Sequence, residues 1–335
     1  MIESRNPDMG NPDPFPRLLG DIGGTNARFG WQQAENESIS NVQVFPCAEH
    51  ASLLEAVQTY LQRQGLGTPV CAAFGIASPV TGDHVVMTNH HWRFSINALR
   101  ADLGVARFLL LNDFTALALS LPQLPEAHRR AVGGGHAAPN AAIGLIGPGT
   151  GLGVSGLLPL GYQNKWIPIA GEGGHVTLSA TTALEFSVLQ HLQKRYGHVS
   201  AERAISGPGL VDLYHALCDM QDGCGREITA PAQVLARASE VPLSSASQAV
   251  DMFCGFLGSV SGDLALTLGA LGGIYIGGGI VPHMGERFDA SPFRARFEDK
   301  GRFKTYLQKI PTWVIYSPVS PALQGASQAL SLGQW

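Results

Sequence analysis

Three turns in this chain place glycine where an anion could meet bare backbone: DIGGTN at 21–26, GPGTGLG at 147–153 and IGGGI at 276–280. Glycine tolerates positive φ and carries no side chain, so successive amide N–H groups can converge on a phosphate. Two of the turns add a hydroxyl at matching places, Thr25 and Thr150. Acids in unusual company carry a second kind of chemistry. LLLND at 109–113 ends a leucine run on Asn112 and Asp113 just before another apolar stretch, FTALALSL. A carboxylate there must face water, a partner or a ligand, because burying it unpaired is costly. As the first residue before an apolar helix, Asp113 could also serve as an N-cap.

Common nucleotide signatures do not explain the glycine turns. A Walker A loop needs glycine followed by lysine and Ser/Thr, and no lysine in this chain follows a glycine. GLGVSG at 151–156 matches the dinucleotide pattern G-x-G-x-x-G, with Glu172 about 20 residues further on. That pattern requires a helix directly after it, and LLPLGYQ supplies a proline and a glycine instead.

The elements that must position these turns alternate. RLLGDIGGTNARFGW (17–31) reads as strand, glycine turn, strand. Apolar residues at 53, 54, 57, 60 and 61 have helical spacing, with Ser52 as N-cap. PVCAAFGIASPV and ARFLLLND are buried strands, the second followed by the helical FTALALSL. The pattern then restarts with AAIGLI, GPGTGLG and VSGLLPL, a second strand-turn-strand. Helices are expected around 183–196, 209–220 and 246–269, and strands at GGIYI and TWVIYS. Strands interleaved with helices give an α/β fold, and the duplicated opening implies two lobes with a central cleft.

Bulk properties exclude several classes. At 335 residues the chain fits two domains, and a net charge of −4 gives no footprint for nucleic acid or an anionic membrane. The 41 glycines lack a three-residue period, which excludes a collagen-like repeat. Five cysteines without a C-x-x-C pair indicate neither a disulfide framework nor a zinc site, and suit a reducing cytoplasm. The windows 141–160 and 264–282 are uncharged over about a membrane span, but glycine and proline break both. Residues 1–16 are acidic and proline-rich, without the apolar segment of a signal peptide, and are expected to be a disordered extension.

GDIGGTNAR, GIASPVTGD, MTNHHW, LNDFTA, GPGTGLG, GEGGHV, HVSAERAISGPGL, IGGGIVP and FEDKGRFK occur in this order between about residues 17 and 330. Together they resemble the bacterial glucokinase family. The resemblance implies two ribonuclease-H-like lobes of the actin-like ATPase group. A small domain at 17–122, completed by a helix at about 320–335, would accompany a large domain at 123–319. It further implies an ATP-dependent kinase of the D-glucose 6-hydroxyl, the first step of glycolysis, acting as a cytoplasmic homodimer.

On the same basis ATP would be held by Gly20, Asp21, Ile22, Gly23, Gly24 and Thr25, by Gly149, Thr150 and Gly151, and by Gly277 and Gly278. Asp21 would face Mg²⁺ through water, since Mg²⁺ keeps several waters and needs few carboxylates. Asn112, Asp113, Glu172, His175 and Glu202 would hydrogen-bond glucose, with Asp113 as the general base. Taken singly, Asp21 reads as a turn carboxylate, Glu202 as an acid near a helix start, and His175 as a surface histidine. MTNHHW, with Asn89, and the GIASPVTGD turn would border the sugar or simply pack. RFEDKGRFK (296–304) reads as a solvated helix face or a subunit contact. The alternatives are a kinase of another hexose, or a non-catalytic sugar sensor on the same fold. Against the sensor, no helix-turn-helix or basic segment is seen before the first strand.

Overall fold

The computed structural model describes residues 2–5, 15–35, 37–88, 90–161, 165–221, 227–317 and 320–332. Asn89 lies outside the described residues. The chain divides into two compact units. One comprises 1–125, 165–170 and 317–335, and the other 126–164 and 171–316.

The first unit contains β1 (Ile2–Arg5), β2 (Arg17–Ile22), β3 (Asn26–Gln32) and β4 (Ser40–Pro46). Helix α1 (Leu53–Gln64), β5 (Cys71–Ile76) and a small ribbon of β6 (His84–Val86) and β7 (Arg93–Ser95) follow. Then come α2 (Ile96–Leu103), β8 (Arg107–Asn112) and α3 (Asp113–Ser120). The sheet order is β1-β8-β5-β2-β3-β4. Strands β8, β5 and β2 run parallel, and the β2–β3 hairpin and β4 extend the sheet antiparallel. Parallel strands are buried on both faces, which is why β5 and β8 read as near-continuous apolar runs.

Local signals act as expected. Ser52 accepts from the Glu55 amide at the start of α1, and Gly65 ends that helix at φ 62. Residues 2–5 depart from the expected disordered extension. Ile2–Arg5 pair antiparallel with β8, whose outer edge would otherwise present unpaired backbone groups.

The C-terminal helix Pro321–Ser331 belongs to this first unit. Buried Arg17 donates to the Ser327 carbonyl and hydroxyl, and Arg107 donates to the Leu330 carbonyl. The helix also lies against α3 so closely that a Cβ on Gly325 would stand 1.6 Å from the Ala116 carbonyl oxygen.

The second unit repeats the plan with β9 (Arg129–Ala131), β10 (Ile143–Pro148) and β11 (Leu152–Pro159). The next strand, β12 (Trp166–Ala170), is grouped with the first unit. Helices α4 (Ala183–Tyr196), α5 (Gly207–Met220), α6 (Pro231–Glu240) and α7 (Ser245–Leu268) precede β13 (Ile274–Ile276). Short helices α8 (Ile280–Met284), α9 (Glu286–Asp289), α10 (Phe293–Glu298) and α11 (Lys304–Gln308) lead to β14 (Thr312–Ile315). Within this unit the strands run β11-β10-β13-β14-β9. An antiparallel hairpin again precedes two parallel strands, so the two sheets share one ribonuclease-H-like order.

Helix α7 is the one described helix long and apolar enough to cross a membrane, and 72% of its apolar window is buried inside the protein. It packs against α10, where Gly258 and Gly262 let the Phe293 and Phe297 carbonyls approach. The charged segment 296–304 is solvated as expected at Asp299 and at 301–304, but its first residues are not. Phe297 is fully buried, and Arg296 pairs with the buried Glu185 across 2.5 Å. Among the cysteines, Cys47, Cys71 and Cys254 are buried and outside any disulfide, while Cys218 is disulfide-bonded where no disulfide was expected.

Candidate active site

In the first unit the sheet register sets Ile22, Ile76 and Asn112 level at the carboxyl ends of three parallel strands. Ligands of parallel α/β sheets gather at that end. Asp21 and Leu111 are each level with Gly75 on the intervening strand, so they stand two strand spacings apart, about 10 Å. The DIGGTN turn and the Asn112–Asp113 pair thus occupy neighbouring positions on one edge. Gly75 makes this possible. A Cβ there would come within 3.0 Å of the Ala116 Cβ and 3.5 Å of the Asp113 Cα, so its absence lets the first turn of α3 settle onto the sheet.

Asn112, not Asp113, caps α3. Its Oδ1 accepts from the amides of Phe114 at 3.0 Å and Thr115 at 3.3 Å. A cap must precede the first helical residue with extended backbone, and Asn112 does so at φ −61, ψ 145. Capping therefore does not account for Asp113, which is half-buried and accepts locally from the Phe114 amide through Oδ1. With its side-chain oxygen on the cap, Asn112 can meet a ligand as a donor through its amide nitrogen.

Arg28 was not singled out from sequence, yet its Nη1 donates to Asp21 Oδ2 across 3.2 Å. The two residues face each other in the hairpin register, the signal that would have found the pair. Gly20 has a packing reason of its own, since a Cβ there would strike the Phe74 ring. At the tip of the turn, the Gly23 amide donates to the Asn26 carbonyl. The amides of Gly24 and Thr25 have no protein acceptor among the described residues. Such unpaired N–H groups suit an anion.

The second unit brings its candidates together around Leu152. In the 147–153 turn, the Gly149 amide donates to the Gly151 carbonyl, and the Gly207 amide donates to the Gly149 carbonyl, both at 2.8 Å. The Leu152 amide donates to Glu202 Oε2 at 2.9 Å. Gly151 leaves room for that carboxylate, because a Cβ there would lie 2.5 Å from Oε2. Glu202 sits in a three-residue 3₁₀ turn, Ala201–Arg203, rather than near the start of α5, so the helix dipole does not explain it. Glu172 precedes a similar turn, Gly173–His175, which His175 ends, and both side chains are exposed. Gly174 lets that turn press on β11, for a Cβ would come within 2.1 Å of the Leu152 carbonyl.

The IGGGI turn approaches the same place. Its Gly277 amide donates to the Ile146 carbonyl. Gly278 has φ +77, and a Cβ there would lie 2.2 Å from the Pro148 carbonyl oxygen. Gly149 and Gly279 have no neighbour within 4 Å of an added Cβ, so the space in front of both turns is open. Thr150, beside them, is exposed. Between GIASPVTGD and MTNHHW, the Thr88 amide donates to Ser78 Oγ, a hydrogen bond that joins the two segments.

A family model described as Glucokinase matches residues 18–332. The glucokinase of Aromatoleum aromaticum is 53% identical over 96% of this chain and 96% of its own. Among solved structures, a glucokinase from an Antarctic psychrotroph aligns with a TM-score of 0.83 at 34% identity, covering 94% of this chain and 98% of that one. A ROK family glucokinase from Streptomyces griseus, solved with glucose and AMPPNP, shares the fold at a TM-score of 0.63 and 17% identity, over 95% of this chain and all of that one. With the duplicated sheets and the glycine turns in place, these likenesses settle its membership: the chain belongs to the bacterial glucokinase family.

Proposed function

We propose that this protein transfers the γ-phosphoryl group of ATP to the 6-hydroxyl of D-glucose. The observation that carries the reading is the division of labour at LLLND. Asn112 caps the helix, and the half-buried Asp113 carboxylate stands beside it just past the carboxyl end of β8, where ligands of parallel α/β sheets gather. The glucokinase names of the relatives support glucose as acceptor, and AMPPNP in the Streptomyces griseus structure supports ATP as donor.

Glucose is bound by Asn112, Asp113, Glu172, His175 and Glu202. Carboxylates accept from sugar hydroxyls, while the asparagine amide and the histidine complete the donor and acceptor pattern. ATP is held by the turns at 20–25, 149–151 and 277–278, whose glycines leave the backbone open to phosphate. In the transfer, a bond forms between O6 and the γ-phosphorus and the bond to the β,γ-bridging oxygen breaks. ADP leaves, and the O6 proton passes to the Asp113 carboxylate. The transition state is loose, so aligning O6 matters as much as removing its proton.

A lone carboxylate suits Mg²⁺ held through water, and among the described residues no group of three metal-binding side chains stands elsewhere. Asp21 fits that place, with one oxygen already engaged by Arg28. When bound, Mg²⁺ supplies charge neutralisation to the phosphates. We further infer a cytoplasmic homodimer, for which the exposed Phe186 on α4 offers an apolar contact.

The test is a coupled ADP-release assay over a hexose panel with Asp113→Asn alongside. Glucose should be the best acceptor. The variant should keep its fold while kcat falls about 10²- to 10⁴-fold, the usual range for a lost general base. Near-normal turnover by Asp113→Asn would sink the assignment. Glucose binding without turnover of any hexose would favour the sensor reading.

A further inference from the structure

Glu202 has two sides, and the proposed function uses one of them. Its Oε2 is held by the Leu152 amide at the exit of the phosphate turn, while Oε1 has no hydrogen-bond partner among the described residues. The segment bearing it is tied to that turn a second time, where the Gly207 amide donates to the Gly149 carbonyl. It is tied on the other side to the His175 turn, where the Ala201 amide donates to the Val176 carbonyl. Gly151 is the residue that leaves Oε2 its room.

We propose that Glu202 is a positioning residue for the nucleotide as well as a sugar ligand. A glucose hydroxyl donating to Oε1 fixes the carboxylate plane and so holds Oε2 on the Leu152 amide. That orders the 147–153 turn for phosphate, and glucose and ATP therefore tighten each other's binding. The inference rests on the assignment of Glu202 to the sugar site. Each carboxylate oxygen has lone pairs to spare, so the hydroxyl is accepted without releasing Leu152. Ordering one side chain and one turn costs conformational entropy, and whichever ligand binds first meets that cost for the second. Linkage makes the effect equal in both directions.

The experiment measures the affinity of the full-length protein for AMPPNP with and without saturating glucose, and for glucose with and without AMPPNP. The coupling ratio of the wild type should be about five- to ten-fold, at the low end for coupled sites. Gly151→Ala keeps the Glu202 carboxylate for the sugar but places a methyl 2.5 Å from the present position of Oε2. It should bring the ratio close to one while glucose alone still binds. Glu202→Asp, too short to reach Leu152 and the sugar together, should do the same, and Glu202→Gln, which keeps an acceptor for Leu152, should restore part of the ratio.

Direct damage to phosphate binding would weaken AMPPNP equally in both states and leave the ratio alone. A wild-type ratio retained in both Gly151→Ala and Glu202→Asp overturns the coupling. Failure of the wild type to bind glucose overturns the site assignment and the coupling together, so the two failures are distinguishable.

Discussion

Replacing Gly325 by alanine tests how the base candidate is held in place. The added Cβ would stand 1.6 Å from the Ala116 carbonyl oxygen and 2.6 Å from its carbon, both backbone atoms of α3 that no rotamer change can clear. Carbon and carbonyl oxygen normally stay about 3.3 Å apart, so the two helices must separate locally by about 1.7 Å. Neither is loose. Gly75 seats α3 on the sheet, and Arg17 and Arg107 tie down the C-terminal helix. An approach this close to backbone atoms belongs to the upper part of the overpacking range, about 2–3 kcal/mol, and alanine returns about 1 kcal/mol of helix propensity.

A net loss of about 1–2 kcal/mol corresponds to a melting temperature lower by roughly 2–8 °C for a unit of this size. Because α3 begins at Asp113, part of the shift reaches the carboxylate, and kcat should fall about ten-fold, since a misplacement of about 1 Å can cost 10²-fold. Thermal melts and steady-state kinetics on the same preparation read both quantities. Gly67→Ala, whose methyl meets nothing within 4 Å, is the control and should change neither. A Gly325→Ala protein that melts within a degree of the wild type at unchanged kcat would refute the close approach and its role in seating Asp113.

The remaining predictions concern acid stability and assembly. Burial pushes the Glu185 carboxyl up, but hydrogen bonds from Arg296 and the Thr181 amide outweigh it and hold the group below its ordinary 4.5. A depressed folded-state value gives stability that is present above about pH 4.5 and is lost as the pH falls through the lower folded value. Glu185→Gln should therefore be less stable than the wild type by about 3 kcal/mol at pH 7, with a smaller further loss in acid, read from urea melts across pH 3–7. Equal acid slopes in the two proteins would dismiss this pair as a source of acid sensitivity. For the homodimer, light scattering at micromolar concentration should give twice the chain mass, and Phe186→Glu should shift it towards the monomer. A wild-type monomer at those concentrations removes the dimer.

Much of the fold was legible because its signals are local. Ser52 announced α1 through one hydroxyl and an apolar spacing, and the helix expected at 183–196 is present over those residues. Strands β5 and β8 showed as apolar runs because parallel strands are buried on both faces. The two glycine hairpins announced the duplication, since each turn lies directly between the strands it joins.

By itself, then, the sequence determined the elements, the repeated plan and the residue types gathered near each glycine turn. Tertiary structure decided what individual residues do. Asp113 looked like a cap until Asn112 was seen holding both amides, a choice made by backbone angles. Gly151 looked like a phosphate glycine, but it also makes room for the Glu202 carboxylate, which the neighbouring Leu152 amide meets across fifty positions. Arg296 and Lys300 looked solvated because nothing nearby in the chain shows their partners, Glu185 on α4 and Asp263 on α7. Each of these depends on contacts between residues far apart in the chain. Short-range propensity carries no record of such contacts, because they exist only once the packed backbone brings those groups within a few ångströms.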